Sequence, residues 1–267
     1  MAFEVFIRTV KDKWLGATLL AVILFLYIFW LASFFPAVKP MMGSYDQLLS
    51  NPTMKAFLGE MTSMKSFAGF MTAEVFSYMG IVLGAYVAFL TASFVAGEIE
   101  GKSSELMLAL PVSREYVILS RFAAVLPIIA VIVIAMLLAI LLGAQYVGES
   151  VDVARFGYGM LFTAGFMLAV GGGSLLLSAV MSNGRNAAFA SIGILMAMFL
   201  VENIGSMVTN IDWARKLSLF HYARVSDFIA NPSASIVWSN LGVLLLVTVI
   251  FLGLAVIAFK LRDIHIT

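Results

Sequence analysis

The sequence predicts an all-α integral membrane protein with six transmembrane helices, on three observations. Apolar residues make up 62% of the 267 and charged residues only 12%, and the mean hydropathy is +1.04, far outside the soluble globular range. Six apolar runs, at 15–35, 75–96, 122–144, 156–181, 187–206 and 239–259, each approach or exceed the roughly 20 residues that a helix needs to cross a bilayer. The runs are continuous and do not alternate as barrel strands do, so the backbone must satisfy itself within helices.

Ahead of the first run, Phe3, Phe6, Ile7, Val10 and Trp14 share one helical face, and Glu4, Arg8, Lys11 and Asp12 share the other. That spacing predicts an N-terminal amphipathic interfacial helix over 1–14; a basic flank that only sets topology is the plainer alternative. The run at 15–35 is longer than a signal-peptide core and lacks a small-x-small cleavage site, so it is expected to stay as an anchor. Residues 36–74 are expected outside. There Asn51-Pro52 reads as an N-cap and first turn, leading a helix with Phe57, Leu58, Met61, Met64, Ala68 and Met71 at three- and four-residue steps. Met61 and Met64 have the spacing of a soft-metal pair. Methionine is also a flexible apolar filler, which a surface-lying helix needs in any case.

The second run carries Gly80, Gly84, Ala88, Ala92 and Ala96, a ridge of small residues four apart. Helices in lipid associate by close backbone approach, so the ridge marks a tight contact, within the subunit or across a dimer axis. A polar connector at 97–121 follows. Within it Glu105–Leu110 can form a short helix, Pro111 interrupts it, and Ser113 can cap a second helix from Arg114. Leu106 and Leu110 share a face that a soluble partner could cover, which makes the connector a lever; a hairpin packed on lipid is the alternative.

The fourth run contains Gly165, Ala169 and Gly173 within a Gly171-Gly172-Gly173-Ser174 cluster, which allows a kink or a close contact. The fifth holds Gly193 and Ala197 and ends near Glu202 and Asn203. An intramembrane carboxylate is a functional suspect, although this one is near enough to the outer surface to be simply solvated. Residues 207–238 hold Trp213, Phe220, Tyr222, Phe228 and Trp238, aromatics that favour short interfacial helices. The last run closes the bundle, giving a single transmembrane domain over 1–267.

With six crossings and a cytoplasmic start, nine basic residues lie inside (Arg8, Lys11, Lys13, Lys102, Arg114, Arg121, Arg185, Lys260 and Arg262) and seven outside. The inner ones sit close to helix ends, so both termini are expected in the cytoplasm of a multi-pass plasma-membrane protein. A net charge of +1 argues against nucleic acid as a partner. Cysteine is absent, which removes disulfides, thiolate metal sites and a cysteine nucleophile. The two histidines, His221 and His265, are expected on opposite sides, and no nucleophile and base converge, so the chain does not read as an enzyme and no histidine metal site can be assembled. Gly101-Lys102-Ser103 resembles the end of a phosphate loop, but Ala96 stands where the earlier glycine belongs, and Glu98 and Glu100 would repel phosphate. An ion-gradient-driven secondary transporter is a competing reading, for which Glu202 and the glycine cluster are the candidates.

The stretch Gly97-Glu98-Ile99-Glu100, followed by Ser103-Ser104-Glu105-Leu106-Met107-Leu108-Ala109-Leu110-Pro111-Val112-Ser113-Arg114, resembles the connector of type-two exporter permeases of the ATP-binding-cassette (ABC) transporters. The acidic start, the Glu-Leu-x-Leu core and the Pro-Val-Ser-Arg end occur in register, with Lys102 in the slot usually held by glycine. The resemblance implies a prokaryotic permease subunit that pairs with a second copy or a related chain. It implies two copies of a separate cytoplasmic ATPase carrying ATP and magnesium, and no cofactor on this chain. It assigns coupling to Glu98, Glu100, Glu105, Leu106, Leu110, Pro111, Ser113 and Arg114. It assigns the helix interface and translocation path to the second and fifth spans, through Gly80, Gly84, Ala88, Ala92, Gly193, Ala197 and Glu202. An extracellular accessory protein docking on the outer segments is compatible with it. The cargo is not specified.

Overall fold

The computed structural model describes residues 2–44, 66–97, 113–207, 212–231 and 233–262. Among them there is no β-strand, and six helices are long and apolar enough to cross a bilayer. The helices are α1 (Ala2–Ser44), α2 (Phe67–Ala92, with a π-helical turn at Thr72–Phe76), α3 (Arg114–Ala123), α4 (Val125–Val147), α5 (Val153–Val180), α6 (Gly184–Met207), α7 (Asp212–Arg215), α8 (Leu219–Tyr222), α9 (Ser226–Ala230) and α10 (Trp238–Leu261). α3 and α4 run together as the third span. Up-and-down connection of six spans brings the start of α1 and the end of α10 to the same end of the bundle, here called the terminal end.

α5 is the axle: it packs on α10, α2, α4 and α6 and is the most buried span, whereas α10 is the least. The triple glycine explains how it fits. A Cβ on Gly171 would come within 2.8 Å of Val87 in α2, and Cβ atoms on Gly172 and Gly173 would lie 3.4 and 3.3 Å from Phe251 in α10. The cluster therefore serves close contact on two sides, and α5 remains one continuous helix through it. α5 starts on a cap, the Asp152 carboxylate accepting from the Arg155 amide at 3.1 Å. α4 stops at Gly148, whose φ of +74° is the left-handed C-cap geometry that glycine adopts without a Cβ clash.

α1 lies along α4 through Ala17, Ala21, Leu24, Ile28, Ala32 and Phe35, a buried stripe at three- and four-residue steps. The helix axes come close because Gly143 faces Ala32, where an added Cβ would sit 2.4 Å from the alanine Cβ.

Three elements depart from the sequence expectation. The amphipathic segment 1–14 is not a separate helix, because α1 runs unbroken for 43 residues. The polar side chains Glu4, Arg8, Lys11 and Asp12 are exposed along it, as the pattern requires. The first helix, expected to span 15–35, does not end there either, and Pro36 and Pro40 both lie inside α1. An interior proline costs about 3 kcal/mol. Tertiary contacts offset it here: Phe35 packs on Phe67 and Phe70 with ring centroids 5.4 and 5.6 Å apart, and Lys39 pairs with Glu149 at 2.6 Å. The second span begins at Phe67 and not near 75, since Ser66 accepts from the Gly69 amide at 3.0 Å and so caps an earlier start. The helix expected from Pro52, with Met61 and Met64, lies outside the described residues up to that point.

At the far end the chain between α6 and α10 forms the expected short helices, but it is tucked into the bundle. Leu219, Val225, Phe228 and Ile229 are buried. Phe220 reaches Phe166 and Phe199, at centroid distances of 4.8 and 5.4 Å. The Arg155 guanidinium donates to the carbonyls of Phe228, Asn231 and Ala234, tying α5 to α9 and the loop after it.

Candidate functional site

Helical hydrogen bonding in α2 ends at Ala92, and the next three residues form a turn before the chain reaches Gly97, the last described residue ahead of the connector. A helix end leaves orphan carbonyls and amides, and in a membrane protein these must find partners. The partner is Ser178 of α5. Its hydroxyl donates to the Ala92 carbonyl at 2.7 Å and accepts from the amides of Val95 and Ala96 at 3.2 and 3.0 Å. One fully buried side chain thus replaces the missing turn of helix.

The same face of α5 carries a second rung one turn earlier. Ser174 donates to the Ala88 carbonyl at 2.6 Å, and Ser191 of α6 lies 2.9 Å from the Ser174 hydroxyl. Ala92, Ala96, Ala187 and Ala188 pack as a small buried cluster beside these serines. Where α6 begins, a Cβ on Gly184 would lie 3.1 Å from both the Cα and the amide nitrogen of Gly97. The start of α6 is therefore in backbone contact with the root of the connector.

The other spans converge on the same residues. Arg121 at the end of α3 donates to the Phe94 carbonyl. Lys13 of α1 reaches the Ser93 hydroxyl at 3.5 Å. Arg262, just past α10, donates to the carbonyls of Ala179 and Met181 at 2.9 Å each, closing the open end of α5. Partial burial lowers its pKa below the ordinary guanidinium value, which still leaves an arginine charged at neutral pH. Lys260 pairs with Glu115 at 2.9 Å, fixing the start of α3 against α10. The terminal end is a joint with the 93–97 segment at its centre, and all six spans contribute to it.

Of the residues assigned to coupling, Glu98, Glu100, Glu105, Leu106, Leu110 and Pro111 lie outside the described residues. Ser113 takes an extended N-cap backbone and α3 starts at Arg114, as expected, but the Ser113 side chain makes no capping bond. The small-residue ridge is a contact within the chain: Gly80 faces Phe220 and Phe166, Gly84 faces Leu195 and Phe166, and Ala88, Ala92 and Ala96 are buried. Gly193 and Ala197 are exposed, and a Cβ on Gly193 would meet nothing within 4 Å.

Glu202 is not the solvated end-of-helix carboxylate that its position allows. Its side chain is 12% exposed and accepts from Arg215, 14% exposed, at 2.7 Å from Nη2 and 3.3 Å from Nε. On its other side Oε2 lies 3.6 Å from Nδ1 of His221, and neither of those two atoms has a hydrogen-bond partner among the described residues. Sequence reading missed Arg215 and His221 because they belong to the tucked outer segment. It also missed Ser178, for which the one available signal is the four-residue step from Ser174 on a glycine-lined face.

Among the described residues no group of three or more histidine and acidic side chains could hold a metal ion. The arrangement is mechanical in kind: buried hydroxyls and close-packed glycines hold helix ends together at one end, and an ion pair clasps the folded-back segment at the other. A family model described as ABC-2 family transporter protein matches residues 5–264 of the chain. No curated protein matches the sequence.

Proposed function

The chain belongs to the ABC-2 family of transporter proteins, and from that premise we propose that it is the permease of an ATP-driven exporter whose motor is a separate cytoplasmic ATPase. Membership makes it a multi-pass membrane component of an ABC transporter, with an ABC ATPase as its general partner. The terminal end faces the cytoplasm of a prokaryotic plasma membrane, and the coupling segment 97–121 docks on the ATPase through residues between Glu98 and Arg114. The permease works as a pair, with a second copy or a related chain, carrying two ATPase subunits. ATP and magnesium bind those subunits, in keeping with the missing early glycine before Gly101-Lys102-Ser103.

The observation that carries this reading is the joint at 93–97. ATP-driven closure of the ATPases displaces the connector. Its root touches α5 through Ser178 and α6 through Gly184, so the displacement passes into those helices and is not absorbed by a loose loop. The exposed face of α6, with Gly193 and Ala197, is the natural wall of the gap between paired subunits, and movement of α6 changes that gap. Transport then follows by alternating access. The ion-gradient alternative depends on Glu202 and the glycine cluster; Arg215 engages one oxygen of that carboxylate, and the cluster is taken up by close contact with Val87 and Phe251.

The test is gentle purification of the tagged chain from its own membranes, with co-purifying chains identified by mass spectrometry. A stoichiometric soluble ATPase that is lost when residues 105–114 are replaced by a Gly/Ser linker supports the reading, provided the variant still inserts. An intact oligomer with no ATPase sinks it, and proton- or sodium-driven uptake becomes the reading to pursue.

A further inference from the structure

We propose that Ser178 is the positioning residue of energy transfer: it makes the break at 93–95 a rigid joint, so that residues 95–97, the root of the connector, and the start of α6 move as one body. The inference rests on the coupling role proposed above and deepens it. A break in a helix at the base of a lever is ordinarily a hinge, because residues freed from the hydrogen-bond ladder can take up a change in φ and ψ. Here the break is bridged on both sides by a single atom. The Ser178 hydroxyl holds the last carbonyl of α2 and the two amides beyond the turn, so any swing of 95–97 relative to Ala92 must break one of those bonds. Phe94, Val95 and Ala96 are buried, which removes water as the replacement partner.

The α6 half of the joint is built by shape. Gly184 and Gly97 are in backbone contact, and residues 181–183 link α5 to α6 directly after Ser178. A push on Gly97 is therefore delivered to the first turn of α6, while Ser178 prevents the chain from pivoting away. Ser191 supports the neighbouring rung, where its hydroxyl bonds to the Ser174 hydroxyl and the Ala187 carbonyl. It separates a positioning role from a general loss of packing.

The natural absence of cysteine permits clean double labelling. Spin labels on G97C, where an added Cβ meets only Ser93 at 3.5 Å, and N186C, in the permease–ATPase complex in lipid nanodiscs, report the distance between the connector root and α6 with and without ATP plus vanadate. The wild-type background is expected to keep that distance on trapping, while a second pair, R8C and N186C, records movement of α6. In S178A the ATPase should remain bound, the 97–186 distance should change on trapping, and the 8–186 response should fall to less than half. S178T, which keeps the hydroxyl, should restore both, and S191A should behave as the wild type. An S178A complex in which both distances respond as in the wild type overturns the inference. So does an S191A complex that fails as badly as S178A, because the effect is then packing. If no ATPase associates with the unaltered chain, the functional reading falls and takes this inference with it, an outcome visible before any label is attached.

Discussion

Removing one partner of the Glu202–Arg215 pair is the perturbation with the largest expected cost for the smallest change of shape. The side chains are 12 and 14% exposed and bonded through two guanidinium nitrogens, so the pair belongs with buried ion pairs. Breaking such a pair costs about 3–5 kcal/mol, because the surviving charge is left desolvated and unmatched. Glu202→Gln keeps the volume but removes the charge facing Arg215, and Arg215→Met removes the other. Each should lower stability by about 3 kcal/mol, which is roughly a hundredfold in the folded-to-unfolded ratio. The double variant Glu202→Met/Arg215→Met should recover most of that loss, since apolar replacement of both partners is close to neutral. Reversible unfolding in detergent micelles gives the free energies, and hydrogen exchange over 212–222 shows where the loss falls. If each single change costs less than about 1 kcal/mol, the value of an exposed pair, the pair is solvated and the argument from burial is refuted.

Other outcomes follow from the glycines and the helix ends. Gly184→Ala places a methyl group 3.1 Å from the Gly97 backbone, which cannot step aside, and should destabilise by about 1–3 kcal/mol. Gly193→Ala, with open space around it, should gain up to about 1 kcal/mol of helix propensity; thermal melts of the two side by side check the contrast. Arg262→Gln removes the charge from two bonds to the end of α5 and should cost about 2 kcal/mol, with faster amide exchange at 179–183. In the cysteine-free background, Gly193→Cys should crosslink between paired subunits. Gly84→Cys should not, because Leu195 and Phe166 of its own chain cover it; disulfide-linked dimer from the Gly84 variant would contradict that placement.

The spans were legible because each depends on one local property, the length of an apolar run, and the packing ridge because small residues recur at the helical period. The terminal-end joint was not. Ser174 and Ser178 look in sequence like two tolerable hydroxyls, and only their placement against the carbonyls of Ala88 and Ala92 gives them partners more than 80 residues away. The end of the first apolar run at 35 misled in the opposite sense. The local cost of Pro36 is real, but Phe35 is packed against a helix that begins 32 residues later, and no local rule weighs that contact. Glu202 shows the same limit: its environment comes from a segment that folds back over it, and position along the span says nothing of that.

The bridging role of Ser178 also sets a timetable for biosynthesis. Its bonds to the end of α2 span 82 to 86 positions, and at roughly 5–20 residues per second a ribosome needs on the order of 4–17 s to cover that distance. During that interval the end of α2 exists without the hydroxyl that completes it, and unpaired amides are tolerated only where water or another protein reaches them. The second span must therefore wait near the membrane surface, or beside the insertion machinery, until the fourth arrives. A nascent chain arrested before residue 178 should be an early substrate for membrane quality control, even though its first three spans are apolar enough to insert unaided.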